Sequence, residues 1–412
     1  MVKVCLIIPP SPWAIDELRS FPPLGVLYIS AYLKQRGVEV EVVDLTGGRP
    51  LPSIDADIVG VTAVTPQYPL ALEILRSVKA KNPGAFVVGG GPHFTVQPQR
   101  CAEDGWNCVV VGEGEEAMFR VAQGLRAYTV RMCPLGSLDG LPFPDWDAVD
   151  MKRYHYEWRG MPCASMICSR GCPWGRCAFC CRTWTRPVRW RSPENVVNEV
   201  LQLQQRGYPV VYFYDDCFNL NRPWLKRLCT LLEPVGEKWR CLIRADISRE
   251  QAEMMAKAGC VEVFIGQESG SDQILRTVDK GITASQGLKA VQLCAEAGMH
   301  VRVGLIIGLP GESEKTVIET RAWLKTAKQI YPELDFDYTI CTVYPGSPIW
   351  NDLSHYDIMF STDFSKLIYK RPVGEYEGVV STSHLTAEDI LRMQREVEEE
   401  FSSWGLKLAK GR

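Results

Sequence analysis

The chain reads as α/β throughout: a doubly wound parallel sheet of the Rossmann or flavodoxin kind, followed by a partial (β/α)6 barrel resembling a TIM barrel. Three observations predict this. Short apolar runs alternate with helix-length segments over roughly the first 125 residues, which implies parallel strands joined by crossover helices. About six more strand–helix units follow between Ala164 and Val343. The apolar runs of both regions end in polar or glycine-rich clusters, at the strand ends where such sheets and barrels bind ligands.

In the first region Val2–Ile8 is an apolar strand, and Pro22-Pro23 opens a helix over Leu24–Arg36 that Gly37 stops. Val38–Val43, Ile58–Thr62, Phe86–Val88 and Cys108–Val111 are the next strands, with a helix over Tyr68–Lys81 and another ending by Gly124. The loops at 62–67, 89–95 and 112–115 are small, polar or glycine-rich. Any one of them is explained by glycine turning a strand into a helix. Three at equivalent ends form a face that a large flat ligand can approach. The fingerprint G-x-G-x-x-G is absent after the first strand, where PPSPW stands, which disfavours a nicotinamide site.

Residues 134–156 are rich in Pro, Asp and Gly and read as a crossing between domains. The expected division is 1–130, a linker at 131–160, a barrel at 161–350 and an extension at 351–412. In the barrel, strand Ala164–Ile167 leads into a cysteine loop, and Ser192 caps a helix over Pro193–Arg206. Strand Val210–Tyr214 ends in Asp215-Asp216, and Arg240–Ile243 ends in Arg244. Val261–Ile265 ends in GQESG, Val301–Ile307 in GLPGE and Phe336–Val343 in YPGS. The tail reads as a short strand region and an acidic helix over Ala387–Phe401.

With 412 residues and 46% hydrophobic content the chain can bury two cores. A formal net charge of −3 provides no basic field for a polyanion. The apolar N-terminus ends in Pro-Pro rather than a small-residue cleavage site, and no run approaches a membrane span, so a cytoplasmic protein with reduced thiols is expected.

Six of the 16 cysteines lie between Cys163 and Cys181. Cys172, Cys177 and Cys180 have the spacing C-x4-C-x2-C, close enough to converge on one centre with a position left open. A disulfide framework belongs to short secreted domains. Zinc remains a minority reading, because the second C-x-x-C or histidine pair is missing nearby and His155 lies outside the run. An iron–sulfur cluster held by three cysteines is favoured.

The cysteine loop, GQESG and GLPGE in this order resemble the radical S-adenosylmethionine enzymes. More narrowly the chain is similar to those with an N-terminal cobalamin-binding domain, the class B radical methylases and the Mg-protoporphyrin monomethyl ester cyclase. The resemblance runs from PPLG at Pro22 to YPGS at Tyr344. It implies a [4Fe-4S] cluster on Cys172, Cys177 and Cys180, whose fourth iron takes S-adenosylmethionine. Phe179 would lie near the adenine and Glu268, followed by Ser269, would receive the methionyl ammonium. Arg244 would face the methionyl carboxylate. Gly308 and Pro310 would approach the adenosine, and Asp215 and Asp216 would meet ribose or substrate, or else cap a helix. The family spacing is C-x3-C-x2-C. Here the first gap is one residue longer, and the register through Cys168 lacks its third cysteine. Cobalamin would touch Thr65, Pro66, Gln67, Gly90, Gly91, Pro92, His93, Glu113 and Gly114. The D-x-H-x-x-G motif is absent, so His93 is not assigned as an axial ligand, and Gln67 is placed near the lower face of the cobalt. Cys163 and Cys181 are expected to be bystanders.

The function implied is methylation of an unactivated carbon through methylcobalamin and a 5′-deoxyadenosyl radical. The substrate would be a small molecule or peptide, and an electron donor such as flavodoxin or ferredoxin would supply the reducing equivalent. Oxidation, cyclisation or ring rearrangement with the same cofactors is the alternative. A third reading is RNA modification, from the interleaved Arg182, Trp184, Arg186, Arg189, Trp190 and Arg191. The tail is too short for the RNA-binding domain of the tRNA-modifying relatives, so nucleic acid is not the expected partner. Trp350, Tyr356, Tyr369 and Tyr376 are candidates for substrate contact, though aromatic side chains more often serve the core.

Overall fold

The computed structural model describes residues 2–10, 21–183, 187–360 and 380–402, which divide into two compact units. The first holds the residues through Tyr156 together with the stretch Cys181–Arg189. The second holds Glu157–Cys180 and most of the chain from Trp190 onward. Trp184, Arg186, Tyr369 and Tyr376 lie outside the described residues.

In the first unit the strands are β1 (Lys3–Ile8), β2 (Glu39–Asp44), β3 (Ile58–Thr62), β4 (Phe86–Gly90), β5 (Cys108–Val111) and β6 (Thr129–Arg131). They form one parallel sheet in the order β2-β1-β3-β4-β5-β6. The order reverses between β1 and β3, which makes their carboxyl ends the switch point of a flavodoxin-like sheet. The three residues of β6 were too few to signal a strand. Helices α1 (Leu24–Gln35), α2 (Tyr68–Lys81), α3 (Pro92–Val96), α4 (Pro98–Glu103) and α5 (Glu115–Ala122) make the crossovers. Helix α3 overlaps the expected loop at 89–95, and the prolines of α3 and α4 stand in the first turn, where a missing N–H costs nothing. One face of the sheet packs Val59, Val61 and Val87 against Ile74, Leu75, Phe94 and Trp106. Phe94 lies directly on Gly89, where a Cβ would meet the ring at 2.1 Å.

The proline-rich stretch after β6 is held against this unit. Asp145 accepts from Ser30 Oγ at 2.5 Å and pairs with Lys34 at 2.7 Å, and Tyr154 donates to Asp44 at 2.9 Å.

The second unit begins with β7 (Glu157–Trp158) and β8 (Met161–Met166). The two-residue strands β9 (Ser169–Arg170) and β10 (Arg189–Trp190) flank the cysteine loop. Then come α6 (Pro193–Gln205), β11 (Val210–Phe213), α7 (Arg222–Leu232), β12 (Lys238–Ile243), α8 (Arg249–Lys257) and β13 (Cys260–Glu268). Helices α9 (Asp272–Thr277) and α10 (Ala284–Glu296), β14 (His300–Ile307), α11 (Glu314–Ile330) and β15 (Asp335–Ile340) complete the barrel. Its sheet runs β15-β14-β13-β12-β11-β8-β7, with six parallel strands and β7 antiparallel at one edge. This is the partial six-unit barrel that the spacing predicted.

Strand alternation sorts its side chains by face. Phe213, Trp239, Cys241, Val263 and Val303 are fully buried on one face. Tyr212, Arg240, Glu262 and Arg302 share the other, where Arg240 pairs with Glu262 and Arg302 with Asp337 at 2.6 Å. Ser192, Ser248 and Thr283 cap their helices by accepting the N–H three residues on. After α12 (Pro348–Asn351), β16 (Met359–Phe360) and β17 (Val380–Ser381), helix α13 (Ala387–Ser402) lies on β15. Gln394 there donates to the Tyr338 carbonyl at 2.7 Å. No helix among the described residues is long and apolar enough to cross a membrane.

Candidate functional site

The cysteine loop leaves the carboxyl end of β8, and a buried carboxylate ties down its start. Asp215 accepts the Cys168 N–H at 3.0 Å on both oxygens and the Ser169 hydroxyl at 2.5 Å. The expected roles were a ribose or substrate contact or a helix cap, and the contacts present here are to the start of the loop. Asp215 is 2% exposed, its carboxylate is committed to the loop, and burial pushes it up to about 6. Cys168 is fully buried, and burial raises its thiol well above the ordinary value, so the register through Cys168 has no accessible thiolate.

Cys177 and Cys180 face each other. The hydrogen bond between the two thiols lowers Cys177 and raises Cys180, and Lys280 and Arg244 also lower Cys177 against burial. A lowered thiol is more readily ionised, and the thiolate is the form that ligates metal. Cys172 is half-buried on the far arm of the same loop. Among the described residues no three His, Cys, Asp or Glu side chains close round a single ion. A cluster is ligated at separate corners rather than at one ion, and three thiols in one loop, with Cys177 lowered, suit that donor set. Cys163 and Cys181 are raised by burial to about 12 and about 11.

The longer first gap has a structural use. Trp174, one of its four residues, donates to the Asp279 carbonyl at 2.8 Å, and the Arg244 guanidinium lies 4.5 Å from its ring centroid. Its ring rests on Gly281, at φ 68°, where a Cβ would stand 2.0 Å from a ring carbon. Arg176 pairs with Asp279 at 2.9 Å, and the Ala178 N–H reaches the Val278 carbonyl. The segment Val278–Gly281 thus clamps the loop.

Glu268 ends β13 in the left-handed region, at φ 68°, beside a register shift in the β13–β14 pairing. Its carboxylate already holds an ammonium, that of Lys280, at 2.7 Å. Lys280 lies 5.8 Å from the Phe179 ring centroid. Burial alone would lower this ammonium, but Glu268 and the two cysteines outweigh it and hold it above the ordinary lysine value. Sequence reasoning missed Lys280, because a lysine in the connection between α9 and α10 carries no local signal. Arg244, 4% exposed, donates to the Lys280 carbonyl at 2.7 Å and to Asp246 at 3.2 Å. Ser269 follows Glu268. It is fully buried, and its hydroxyl lies 3.1 Å from Thr320 of α11, so it ties the β13 loop to a helix.

GLPGE folds back on itself. Glu312 accepts from the N–H of Gly308 at 2.5 Å and of Leu309 at 3.3 Å. Gly308 abuts Val380 and Ile390, and Pro310 is buried.

In the first unit the expected loops sit together at the strand ends. Gln67 accepts the Val64 N–H at 3.2 Å, and its amide nitrogen lies 3.4 Å from the Pro9 and Pro10 carbonyls, which joins the ends of β1 and β3. Thr65 and Pro66 are buried beside it, and Gly90 and Pro92 remain partly or fully exposed. Gly91 (φ 96°) would bring a Cβ to 2.6 Å from Thr62 Oγ1, and one on Gly114 would strike Ile29, so these loops need bare backbone. That is a surface suited to a large flat ligand. Glu113 pairs with Arg189. His93 is fully buried, its ring lies 4.1 Å from that of Tyr68, and burial lowers it to about 4. It presents no surface to a ligand.

Among the described residues of the basic and aromatic run, most make internal contacts. Arg191 is buried against Glu199, and Trp190 packs on Trp224 at 4.8 Å. Arg182 is exposed. Trp350 packs on Phe360 at 5.4 Å.

Two family models match the chain, the radical SAM superfamily over residues 166–324 and the B12 binding domain over residues 19–122. An uncharacterized methyltransferase of Pyrococcus horikoshii is 30% identical over 96% of this chain and 91% of its own. The anaerobic magnesium-protoporphyrin IX monomethyl ester cyclase of Rubrivivax gelatinosus is 28% identical over 86% of this chain and 70% of its own. Among solved structures, the radical S-adenosylmethionine methyltransferase TsrM of Kitasatospora setae superposes with a TM-score of 0.70 at 20% identity. The match covers 90% of this chain and 81% of that one, a likeness of fold.

Proposed function

We propose that this chain, which belongs to the cobalamin-dependent radical S-adenosylmethionine enzymes, is a methyltransferase that acts on an unactivated carbon. The family's cofactors are its own: a [4Fe-4S] cluster, S-adenosylmethionine and cobalamin. The observation that carries the reading is the meeting of a lowered cysteine thiol and an ammonium-holding carboxylate at one end of a partial barrel, in a chain that also contains a B12-binding domain. In this reading Cys172, Cys177 and Cys180 hold the cluster, and Glu268 and Arg244 supply opposite charges for the two ends of the methionyl group. Phe179 and the backbone at Gly308 and Pro310 border the adenosine. Thr65, Pro66, Gln67, Gly90, Gly91, Pro92, Glu113 and Gly114 border the cobalamin. Bound there, the cluster supplies the electron that cleaves S-adenosylmethionine, and cobalamin carries the methyl group. The substrate is a small molecule or peptide, and flavodoxin or ferredoxin serves as electron donor.

The likeness to the cyclase favours a second reading, oxidation or cyclisation with the same cofactors. Turnover under anaerobic reducing conditions separates the two. Methylation releases S-adenosylhomocysteine and 5′-deoxyadenosine in equal amounts, and the product gains one CH2. Deoxyadenosine without adenosylhomocysteine overturns the methyltransferase and leaves the cyclase-type reaction.

A further inference from the structure

We propose that Lys280, held by Glu268, is the resident counter-cation of the cysteine loop, and that this pair sets how readily a cluster on Cys172, Cys177 and Cys180 is reduced. The inference rests on the cluster reading above and adds to it a residue that the sequence motifs do not include.

Several features build the pair rather than merely permit it. The Lys280 and Glu268 side chains meet at 2.7 Å, and only 8% and 13% of their surfaces are exposed. Glu268 is held at φ 68°, a conformation that costs a residue with a side chain and persists only where its surroundings enforce it. Gly266 supplies the room, since a Cβ there would stand 2.8 Å from Glu268 Oε1 and 3.1 Å from Lys280 Nζ. Arg244 fixes the Lys280 carbonyl. The ammonium lies 5.8 Å from the ring of Phe179, the residue just before Cys180.

Reduction adds one electron to a cluster, and in a site of low dielectric a fixed cation stabilises the more negative state. The electron comes from a low-potential reductant, and no bond in the protein changes. The two halves of the pair therefore act with opposite signs, which a purely structural role would not produce.

The test uses the full-length, anaerobically reconstituted protein without S-adenosylmethionine. Iron and sulfide content are measured first, then the reduced-to-oxidised ratio by electron paramagnetic resonance at one fixed solution potential. Lys280→Gln is expected to lower that ratio about tenfold, equivalent to about 59 mV for a one-electron couple. Glu268→Gln is expected to raise it, and Lys280→Arg to leave it near wild type. An unchanged ratio in Lys280→Gln, or a shift of the same sign in both Gln variants, overturns the proposal. If Lys280→Gln assembles no cluster, the sign of the Glu268→Gln shift decides. Wild-type protein without iron would instead overturn the cluster reading itself.

Discussion

Burial holds the Glu312 carboxyl at about 8, so it is protonated at neutral pH although the sequence shows only the last residue of GLPGE. One oxygen accepts two backbone N–H groups, and the other has no hydrogen-bond partner among the described residues. A folded-state value above the ordinary one means that this group's contribution to stability is complete below about 4.5. It is lost as the pH rises through about 8. Urea unfolding of the wild type is therefore expected to weaken by a few kcal/mol between about pH 5 and pH 9 through this group. Glu312→Gln should flatten that part of the profile, and an unchanged slope would mean that the carboxyl is ionised throughout. Asp215 shows the same limit of sequence reading: a strand-end carboxylate that suggests a ligand contact is consumed by Cys168 and Ser169.

At the scale of the element, the cysteine loop is not self-supporting. Its long first gap lets Trp174 reach Gly281, so the segment after α9 carries the loop's geometry. Gly281→Ala combines a Cβ at a positive φ with a clash against the indole. It is expected to destabilise the protein by about 1–3 kcal/mol in denaturant melts. Reconstituted Gly281→Ala should also retain less iron per chain, and the additional change Trp174→Leu should recover part of it. Equal iron content in wild type and Gly281→Ala would show that the clamp does not govern the loop. C-x4-C-x2-C was legible as an array of ligands, but the partner that accommodates the extra residue lies more than a hundred positions away.

At the scale of the whole molecule, the two units are not simple consecutive halves, since Cys181–Arg189 returns to the first. Arg189 pairs there with Glu113, and both side chains are 10% exposed. Removing one member costs the other this ion pair in a largely dry place. Arg189→Met is expected to cost the first unit about 3 kcal/mol, read by hydrogen exchange of the β3 to β5 amides. Arg189→Met with Glu113→Gln should cost clearly less. Equal losses in the single and double variants would show that the pair contributes no coupling.

The strand–helix alternation, the six-unit barrel and the placement of polar clusters at strand ends were all present in the sequence. Each depends on local periodicity and on glycine or proline punctuation, and neighbouring residues carry both. The identity of the family was legible for the same reason, in short ordered motifs. What only the tertiary structure decided is which members of those clusters face outward and which are spent inside. His93 and Ser269 are buried, Asp215 is a tether, Lys280 occupies Glu268, and Trp174 rests on Gly281. Burial and long-range charge pairing come from residues far apart in the chain, and no local pattern encodes them.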